Sequence, residues 1–343
     1  MAFNYGFNNN INGKSIMWNF RAVILRGAPL LCAMLMVAVS GYCAEREVII
    51  ECSWGKLSAT LAEPAVPSDT AVVIVAGSGP TDRNGNSSLN VVTYSYKMLS
   101  DALVKEGVAV LRYDKRGIAG SPIAAEDVPN LIFDDYVDDA AQCVCWLRDS
   151  GYRRVIIAGH SEGGAIALEV ASRGLAEVDA LVLLCASGFP MDKVLLRQLS
   201  AQLMPSYMGL MVQSERILRD IKAGRSVAEE DIPRELLSLF HPVVQPFLHN
   251  SMQYDPREAM ARCEQPTLII TGGRDIQISV DDGVALAAVA RNGQHRNFEN
   301  MSHVLKDAES TERMEQLVSV YTNSQLPLTE GLVTTITEFI NNI

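Results

Sequence analysis

The sequence predicts an α/β fold in which a mostly parallel sheet carries helices on both faces. Apolar segments of strand length alternate with segments of helical periodicity along most of the 343 residues, which is typical of βαβ units. The apolar run at 154–158 leads directly into Gly-His-Ser-Glu-Gly-Gly at 159–164. A helix-forming run at 165–171 follows at once, so we expect a serine at a turn between a strand and a helix.

The elements are predicted in order along the chain. Two β segments come first, at 47–52 and 56–62. The strands of the alternating part are predicted at 71–75, 108–113, 155–158, 181–185, 267–271 and 294–299. The helices between and after them are predicted at 94–105, 133–148, 162–173, 282–290 and 332–341. Strands separated by helices in this way are expected to pair in parallel.

Residues 187–265 interrupt the alternation, because they contain no strong strand pattern. Leucines recur at helical spacing near 195–203, and Ile217, Leu218 and Ile221 repeat the pattern. We therefore predict a helical cap inserted between two strands, over the strand ends where α/β enzymes bind ligands. Its large apolar residues either line a substrate pocket or pack the cap onto the sheet; they are Met204, Tyr207, Met208, Met211, Phe240 and Phe247.

The Gly-x-Ser-x-Gly turn at 159–163 is the nucleophile-elbow pattern, a tight strand-to-helix turn that exposes one serine at the end of a sheet. Its glycines suit a turn in which helix and strand approach closely. The serine stands at a helix N-terminus, where free N–H groups and the helix dipole favour negative charge. Ser161 is therefore the candidate nucleophile.

A serine hydroxyl needs a general base within hydrogen-bond reach. The chain has five histidines. His160 lies in the elbow itself and is expected to be structural, and His241 and His249 belong to the predicted cap. His295 falls inside the last predicted strand. His303 follows that strand, on a loop at the correct end of the sheet, so it is the candidate base.

The carboxylate that orients the base is expected on the loop after the preceding strand, 267–271. Asp275 lies on that loop, in Gly-Gly-Arg-Asp. The resulting chain order, Ser161, Asp275, His303, is the order of α/β-hydrolases. Asp281 and Asp282 are the alternatives, although they are better placed to cap the next helix.

Two backbone N–H groups are expected to stabilise an oxyanion. One belongs to Glu162, directly after the serine, and the other to Ser78, on the glycine-rich loop after the strand at 71–75. Gly79 is the second choice on that loop. The loop does not match a phosphate-binding loop, because no Gly-Lys-Ser/Thr follows it.

Composition limits the other classes of function. The net charge is −11 and no Lys/Arg block occurs, so nucleic-acid binding is not expected. The seven cysteines are irregularly spaced, so no disulfide framework is predicted. Cys143 and Cys145 lie two apart on a predicted helix and point in different directions, so we predict no metal site there.

The N-terminal 44 residues read as an extension with an export signal. Arg21 and Arg26 precede an apolar core at 28–40, and small residues near 38–41 offer a cleavage pattern. Translation from Met17 would give a signal of ordinary length. The alternative is an uncleaved anchor, because residues 27–44 are 18 uncharged positions. Export, with no stable membrane association after cleavage, is the predicted outcome.

The chain from 45 to 343 resembles bacterial α/β-hydrolases of the serine aminopeptidase-like group, and among them the carboxylesterases. The resemblance is carried by the segments 77–86, 114–121, 159–164, 273–277 and 302–306. It implies ester hydrolysis on small acyl groups, no cofactor and a helical cap. Asp114, Arg116 and Ser121 resemble a loop that braces the site. Prolyl aminopeptidases of the group usually carry Gly-Gly-Ser-Trp-Gly at the elbow, so this elbow argues against a peptidase.

The sequence therefore predicts a single α/β-hydrolase domain that cleaves small carboxylic esters through an acyl-enzyme intermediate. An aminopeptidase uses the same machinery, and the acidic run 229–231 in the cap is a candidate for binding its substrate's amino group. A thioesterase or acyltransferase is a further alternative. A binding protein without activity is disfavoured, because a serine, a histidine and an aspartate occur in the required order.

Overall fold

The computed structural model describes residues 43–343, and the predicted signal with its cleavage pattern lies outside the described residues. The strands are β1 (Ala44–Cys52), β2 (Gly55–Glu63), β3 (Thr70–Val75), β4 (Asn86–Ser87), β5 (Val91–Val92), β6 (Ala109–Tyr113), β7 (Arg154–His160), β8 (Ala180–Leu184), β9 (Thr267–Gly272) and β10 (Gly293–Phe298). Eight of them form one sheet in the order β1-β2-β6-β3-β7-β8-β9-β10. The pairs from β6 to β10 are parallel, and β1 and β2 join by antiparallel pairing. The predicted mostly parallel sheet is confirmed.

The helices follow the predicted alternation. They are α1 (Ser95–Lys105), α2 (Phe133–Asp149), α3 (Glu162–Ser172), α4 (Met191–Leu203), α5 (Met208–Lys222), α6 (Leu237–Phe240), α7 (Gln245–Ser251), α8 (Pro256–Arg262), α9 (Val280–Ala287), α10 (Arg313–Ser319) and α11 (Leu332–Asn341). The prediction missed the short ribbon β4–β5 and α10, since α10 buries only Gln316 and so shows no apolar stripe. Within residues 43–343, each helix is too short or too polar to cross a membrane.

The sheet lies between two separate apolar layers. Every residue of β3 is buried, as expected of a parallel strand covered on both faces. Val73 faces the layer that includes α2 and α3, whereas its neighbour Val72 faces the layer that includes α1 and α11. Successive side chains of a strand point to opposite faces, so the buried strands stabilise both layers at once.

Between β8 and β9 the chain is helical, with α4 to α8 and short 3-10 turns. This segment has an apolar core of its own, built around Ile217, Leu218, Ile221 and Phe240. Two side chains of α4 connect it to α9 and to the loop that precedes α9: Arg197 pairs with Asp282 at 2.8 Å, and Gln198 donates to the carbonyl of Gln277. The segment is therefore attached beside the loop that follows β9.

The six large apolar residues expected to line a pocket or to pack the cap have several different environments. Met204, Tyr207 and Met208 are exposed at the turn between α4 and α5, and Phe240 is fully buried inside the helical segment. Met211 is buried on α5, and Phe247 packs against aromatic rings of α2. Phe240 therefore packs the cap internally and does not line a pocket, because its ring is enclosed by other cap residues.

Candidate active site

Ser161 lies between the last residue of β7 and the first residue of α3. Its backbone has φ 55° and ψ −120°, a region that a residue with a side chain rarely adopts and that costs about 1–3 kcal/mol. The first turn of α3 lies so close to β3 that a Cβ on Gly163 would come within 2.2 Å of the carbonyl oxygen of Val75. The sequence thus places a strained serine at the N-terminus of a helix, where the dipole favours negative charge.

His303 and Asp275 meet at the ends of neighbouring strands. His303 Nδ1 lies 2.7 Å from Asp275 Oδ2, and both side chains are shielded from solvent. The other carboxylate oxygen of Asp275 accepts the backbone N–H groups of Gln277 and Ile278 at 2.7 and 2.9 Å. These bonds orient the carboxylate, so that Nδ1–H of His303 donates to it and Nε2 is left as the basic nitrogen.

Among the described residues, the carboxylate bonded to His303 Nδ1 is that of Asp275 and not that of Asp281 or Asp282. Asp282 accepts hydrogen bonds from the backbone and hydroxyl of Ser279, which form the cap of α9. This N-terminal capping box at Ser279 also explains why α9 begins at Val280, two residues before the predicted start at 282. Asp282 is fully buried and also pairs with Arg197, so it joins the start of α9 to α4.

Cys185 is the third buried group beside this pair. Its Sγ, an oxygen of Asp275 and a nitrogen of His303 all lie within 4.8 Å of one another. Burial, with the nearby charge of Asp275, raises the pKa of the Cys185 thiol well above its ordinary value. The thiol therefore stays protonated, and Asp275 and His303 already bond to each other, so these three groups do not make a favourable metal site.

His160 connects three segments of the site. Its Nε2 lies 2.7 Å from the backbone carbonyl of His303, and its Nδ1 lies 2.7 Å from the hydroxyl of Tyr96. That hydroxyl accepts the backbone N–H of Gly77 at 3.1 Å. Because a carbonyl only accepts, Nε2 carries the proton and Nδ1 accepts from Tyr96. Burial, with the nearby His303, lowers the pKa of His160 to about 3, so the ring is neutral.

The expected structural role of His160 is thus more specific than the sequence indicated. Its partners, Tyr96 and His303, lie far from it in the chain. The sequence around His160 does not indicate that these residues contact it. The other histidines lie elsewhere: His295 bonds to Thr271, His241 lies 3.5 Å from Glu229, and His249 bonds to the carbonyl of Ile221.

The glycine-rich loop after β3 lies directly against the serine. A Cβ on Gly77 would lie 3.1 Å from Ser161 Cβ and 3.2 Å from His160 Nδ1. The next residue is Ser78, one of the two predicted oxyanion donors, and the other, Glu162, begins α3. The structure therefore brings the loop that carries Ser78 to the same turn as Glu162 and Ser161.

A buried lysine also belongs to this site, and the sequence did not single it out. Lys115 follows β6, is 1% exposed, and donates from Nζ to the carbonyl of Gly77 at 2.5 Å. The same Nζ lies 3.6 Å from Glu162 Oε1. The available signal was a lysine within Asp-Lys-Arg-Gly directly after a buried strand, but the sequence does not reveal which groups it meets.

The residues on either side of Lys115 hold its loop in place. Asp114 accepts hydrogen bonds from the backbone and side chain of Arg83, and its carbonyl accepts the hydroxyl of Ser121 at 2.8 Å. Arg116 pairs instead with two carboxylates of α2, those of Asp135 and Asp139.

Comparison with solved structures identifies the fold. The Pyrococcus furiosus esterase Pf2001 aligns with a TM-score of 0.56 at 18% identity, over 88% of this chain and 91% of that one. Est1E from Butyrivibrio proteoclasticus aligns with a TM-score of 0.53 at 15% identity, over 86% of this chain and 98% of that one. At such identities the likeness shows the fold alone, and it confirms the α/β-hydrolase expectation.

Comparison of sequences identifies the family. Esterase EstD from Thermotoga maritima is 26% identical over 240 residues, which are 69% of this chain and 53% of EstD. The chain therefore spans about half the length of this curated relative. The family model described as serine aminopeptidase, S33, matches residues 90–309, more than half of the chain. The predicted resemblance is confirmed, and the chain belongs to the serine aminopeptidase S33 family.

Proposed function

We propose that this protein is a serine carboxylesterase that hydrolyses esters of short to medium acyl groups. The observation that carries the proposal is the strained Ser161 at the N-terminus of α3, with the loop of Gly77 against it. The hydrogen-bonded pair of His303 and Asp275 supports it further, because this pair can hold a proton taken from a serine hydroxyl.

The proposed reaction has two halves. In the first, Ser161 Oγ attacks the ester carbonyl while His303 Nε2 takes its proton, and Asp275 stabilises the imidazolium that forms. The backbone N–H groups of Ser78 and Glu162 donate to the oxyanion of the tetrahedral intermediate. His303 then protonates the leaving alcohol. In the second half His303 takes a proton from water as the water oxygen attacks the acyl carbonyl. The bond to Ser161 Oγ then breaks, and His303 returns the proton to Oγ, which releases the acid and restores the serine hydroxyl and the neutral imidazole.

Ester hydrolysis is favoured over aminopeptidase activity by two observations. Two of the compared proteins, EstD and Pf2001, are named esterases, and a structure of Est1E is described with bound ferulic acid. The acidic run that a peptidase could use forms an exposed 3-10 turn, Glu229–Asp231, in which Glu229 lies near His241. The turn contacts His241 and Arg216 within the helical segment, and exposed carboxylates contribute little to the binding of a substrate's ammonium group.

The nucleophile assignment is tested by Ser161→Ala together with a fluorophosphonate probe. The substitution removes only the hydroxyl, so we expect a folded protein whose kcat for p-nitrophenyl esters is about 10⁴- to 10⁶-fold lower. The probe is expected to label wild-type protein at Ser161. Labelling at another serine, or full activity of Ser161→Ala, would contradict the proposal.

The role of the carboxylate is tested by Asp275→Asn, which disturbs the tautomer of His303. We expect this variant to lower kcat about 10⁴-fold.

Acyl length is tested with a series of p-nitrophenyl esters. Six residues separate the end of β8 from the start of α4, so α4 begins near the edge of the sheet that carries Ser161. Its Met191 and Leu195 are partly buried and pack against the apolar core of the helical segment. We expect kcat/KM to be highest for acyl chains of about two to eight carbons, with up to ~0.8 kcal/mol gained per methylene that fits. A steady rise through palmitoyl esters, or a preference for aminoacyl anilides, would favour a lipase or a peptidase instead.

A further inference from the structure

A buried ammonium group lies directly behind the loop that carries Ser78. Lys115 is almost completely buried, and its Nζ donates to the carbonyl oxygen of Gly77 at 2.5 Å. It also lies 4.9 Å from the centre of the Tyr136 ring, a cation–π distance. Burying a charge of this kind is costly unless it is paired and hydrogen-bonded. A lysine in this position therefore calls for an explanation beyond packing.

The carbonyl that Lys115 holds belongs to the same peptide group as the N–H of Ser78. In a trans peptide the C=O and the N–H point in opposite directions across one plane. An ammonium that holds the oxygen of Gly77 therefore also sets the direction of the Ser78 N–H. The preceding N–H, that of Gly77, is held by the hydroxyl of Tyr96 at 3.1 Å, so Gly77 is fixed on both sides.

The same ammonium is paired with the residue that carries the other proposed donor. Glu162 Oε1 lies 3.6 Å from Lys115 Nζ, and this oxygen is buried without a hydrogen-bond partner among the described residues. The positive charge of Lys115 offsets the cost of burying this carboxylate oxygen. One ion pair thus joins the loop of Ser78 to the first turn of α3, and both proposed N–H donors are carried by the backbone next to that pair.

We propose that Lys115 is a positioning residue of the oxyanion hole, which acts through the Gly77–Ser78 peptide and is itself held by the Glu162 carboxylate. A cation at the carbonyl end polarises the peptide and strengthens its N–H as a donor, since linked hydrogen bonds reinforce one another in a buried site. Lys115 touches no reacting atom in this scheme. The inference rests on the proposed esterase mechanism and adds to it the group that orients one donor.

The decisive measurement uses a trifluoromethyl ketone labelled with ¹³C at its carbonyl. Such a ketone forms a hemiketal with the nucleophilic serine, and the ¹³C shift against pH gives the pKa of the hemiketal oxygen. In Lys115→Met we expect this pKa to rise by about one unit or more, because the oxyanion loses a well-oriented donor. We expect kcat to fall by about 10- to 100-fold, with KM for a short ester within about twofold of wild type. An unchanged hemiketal pKa would overturn the proposal.

A matched control removes a lysine from an ion pair elsewhere. Lys222 pairs with Asp192 at 2.8 Å within the helical segment, and Lys222→Met is expected to leave the hemiketal pKa and kcat at wild-type values. If Lys222→Met shifts the hemiketal pKa as much as Lys115→Met does, the effect is not specific to the oxyanion loop and the proposal fails.

A second variant guards against a simple loss of stability. Lys115→Met leaves the carboxylate of Glu162 buried without its partner, whereas Lys115→Met/Glu162→Gln removes both charges and keeps the N–H of residue 162. We expect the double variant to recover melting temperature but not kcat, because the carbonyl of Gly77 remains unheld. Recovery of kcat in the double variant would show that the pair serves only stability and would overturn the inference.

These outcomes are separable from those of the esterase proposal. If wild-type protein hydrolyses no ester and forms no hemiketal, the proposed function fails and the inference fails with it. If wild-type protein does both, and Lys115→Met has the wild-type hemiketal pKa, only the role of Lys115 is rejected.

Discussion

Individual buried polar side chains hold the loops of the site together. The first two residues of α1 contribute two of them: the hydroxyl of Ser95 donates to the carbonyl of Val304 at 2.6 Å, and that of Tyr96 joins Gly77 to His160. Removing one partner of a buried hydrogen bond leaves the other unsatisfied, which costs about 1–3 kcal/mol. The loop of His303 therefore depends on α1 as well as on its own strand.

Because the buried His160 ring is neutral, we expect the free energy of unfolding to depend on pH. Its pKa in the folded protein, about 3, lies below the ordinary value of 6.5. Between these values the unfolded state binds the extra proton, so the free energy of unfolding falls as the pH is lowered from 6.5 toward 3. We expect urea unfolding at pH 7 and pH 4.5 to show a larger loss in wild type than in His160→Gln, whose amide does not titrate.

Glutamine is the appropriate replacement at 160, because its amide can accept from Tyr96 and donate to the carbonyl of His303. His241→Gln serves as the control, since that side chain is partly exposed in the helical segment. If the free energy of unfolding changes equally with pH in wild type and in His160→Gln, His160 does not contribute to the loss of stability in acid.

At the level of elements, the site depends on how closely α3 approaches the sheet. The first turn of α3 packs against the end of β3, where Gly163 faces the carbonyl of Val75. On the other side of the turn, a Cβ on Gly159 would lie 2.2 Å from the carbonyl oxygen of Gly163. Both distances are far below a normal contact, so the strand-turn-helix unit closes only with glycine at these positions.

Gly163→Ala is expected to destabilise the fold by roughly 1–3 kcal/mol, because the added methyl group must push the backbone of α3 away from β3. The same displacement moves Ser161, so we expect kcat to fall as well. Thermal unfolding and ester turnover measure the two effects. Gly209→Ala, in the exposed first turn of α5, is the control: a Cβ there meets nothing within 4 Å, and we expect it to stabilise by about 0.5–1 kcal/mol. A wild-type melting temperature for Gly163→Ala would contradict the close approach.

At the level of the whole molecule, the N-terminal strand is an integral part of the sheet. β1 pairs along its full length with β2, from Ala44 opposite Glu63 to Cys52 opposite Gly55. Glu45 accepts a hydrogen bond from the buried Arg112 at 2.6 Å. The first residues of β1 thus contribute to the fold, and a chain shortened beyond them would leave the guanidinium of Arg112 without this partner.

We propose that the protein is exported and that signal cleavage leaves β1 whole. The basic, apolar and small-residue pattern predicts a mature N-terminus between 41 and 46, and the pairing of Ala44 and Glu45 restricts the expected first residue to 41–44. N-terminal sequencing of protein from the cell envelope tests this. Recovery of intact residues 17–44 in the membrane fraction would support an anchor instead.

Local sequence patterns were sufficient for most of the fold. Burial on both faces makes a parallel strand a continuous apolar run, as in β3 and β8, and the helices between the strands keep their periodicity. The ribbon β4–β5 has two residues in each strand, and α10 buries only the polar Gln316, so neither has an apolar pattern and both were missed. The start of α9 was predicted two residues late because its cap begins at Ser279.

By itself the sequence determined the α/β architecture, the strained turn at Ser161 and the strand ends that carry Asp275 and His303, because these features follow from local periodicity and from chain order. Only the tertiary structure decided which side chains meet there. Tyr96, Lys115 and His160 come from three separate segments, and their contacts with Gly77, Glu162 and His303 exist only after the sheet aligns the strand ends. Such contacts depend on distances between remote parts of the chain, about which local patterns carry no information.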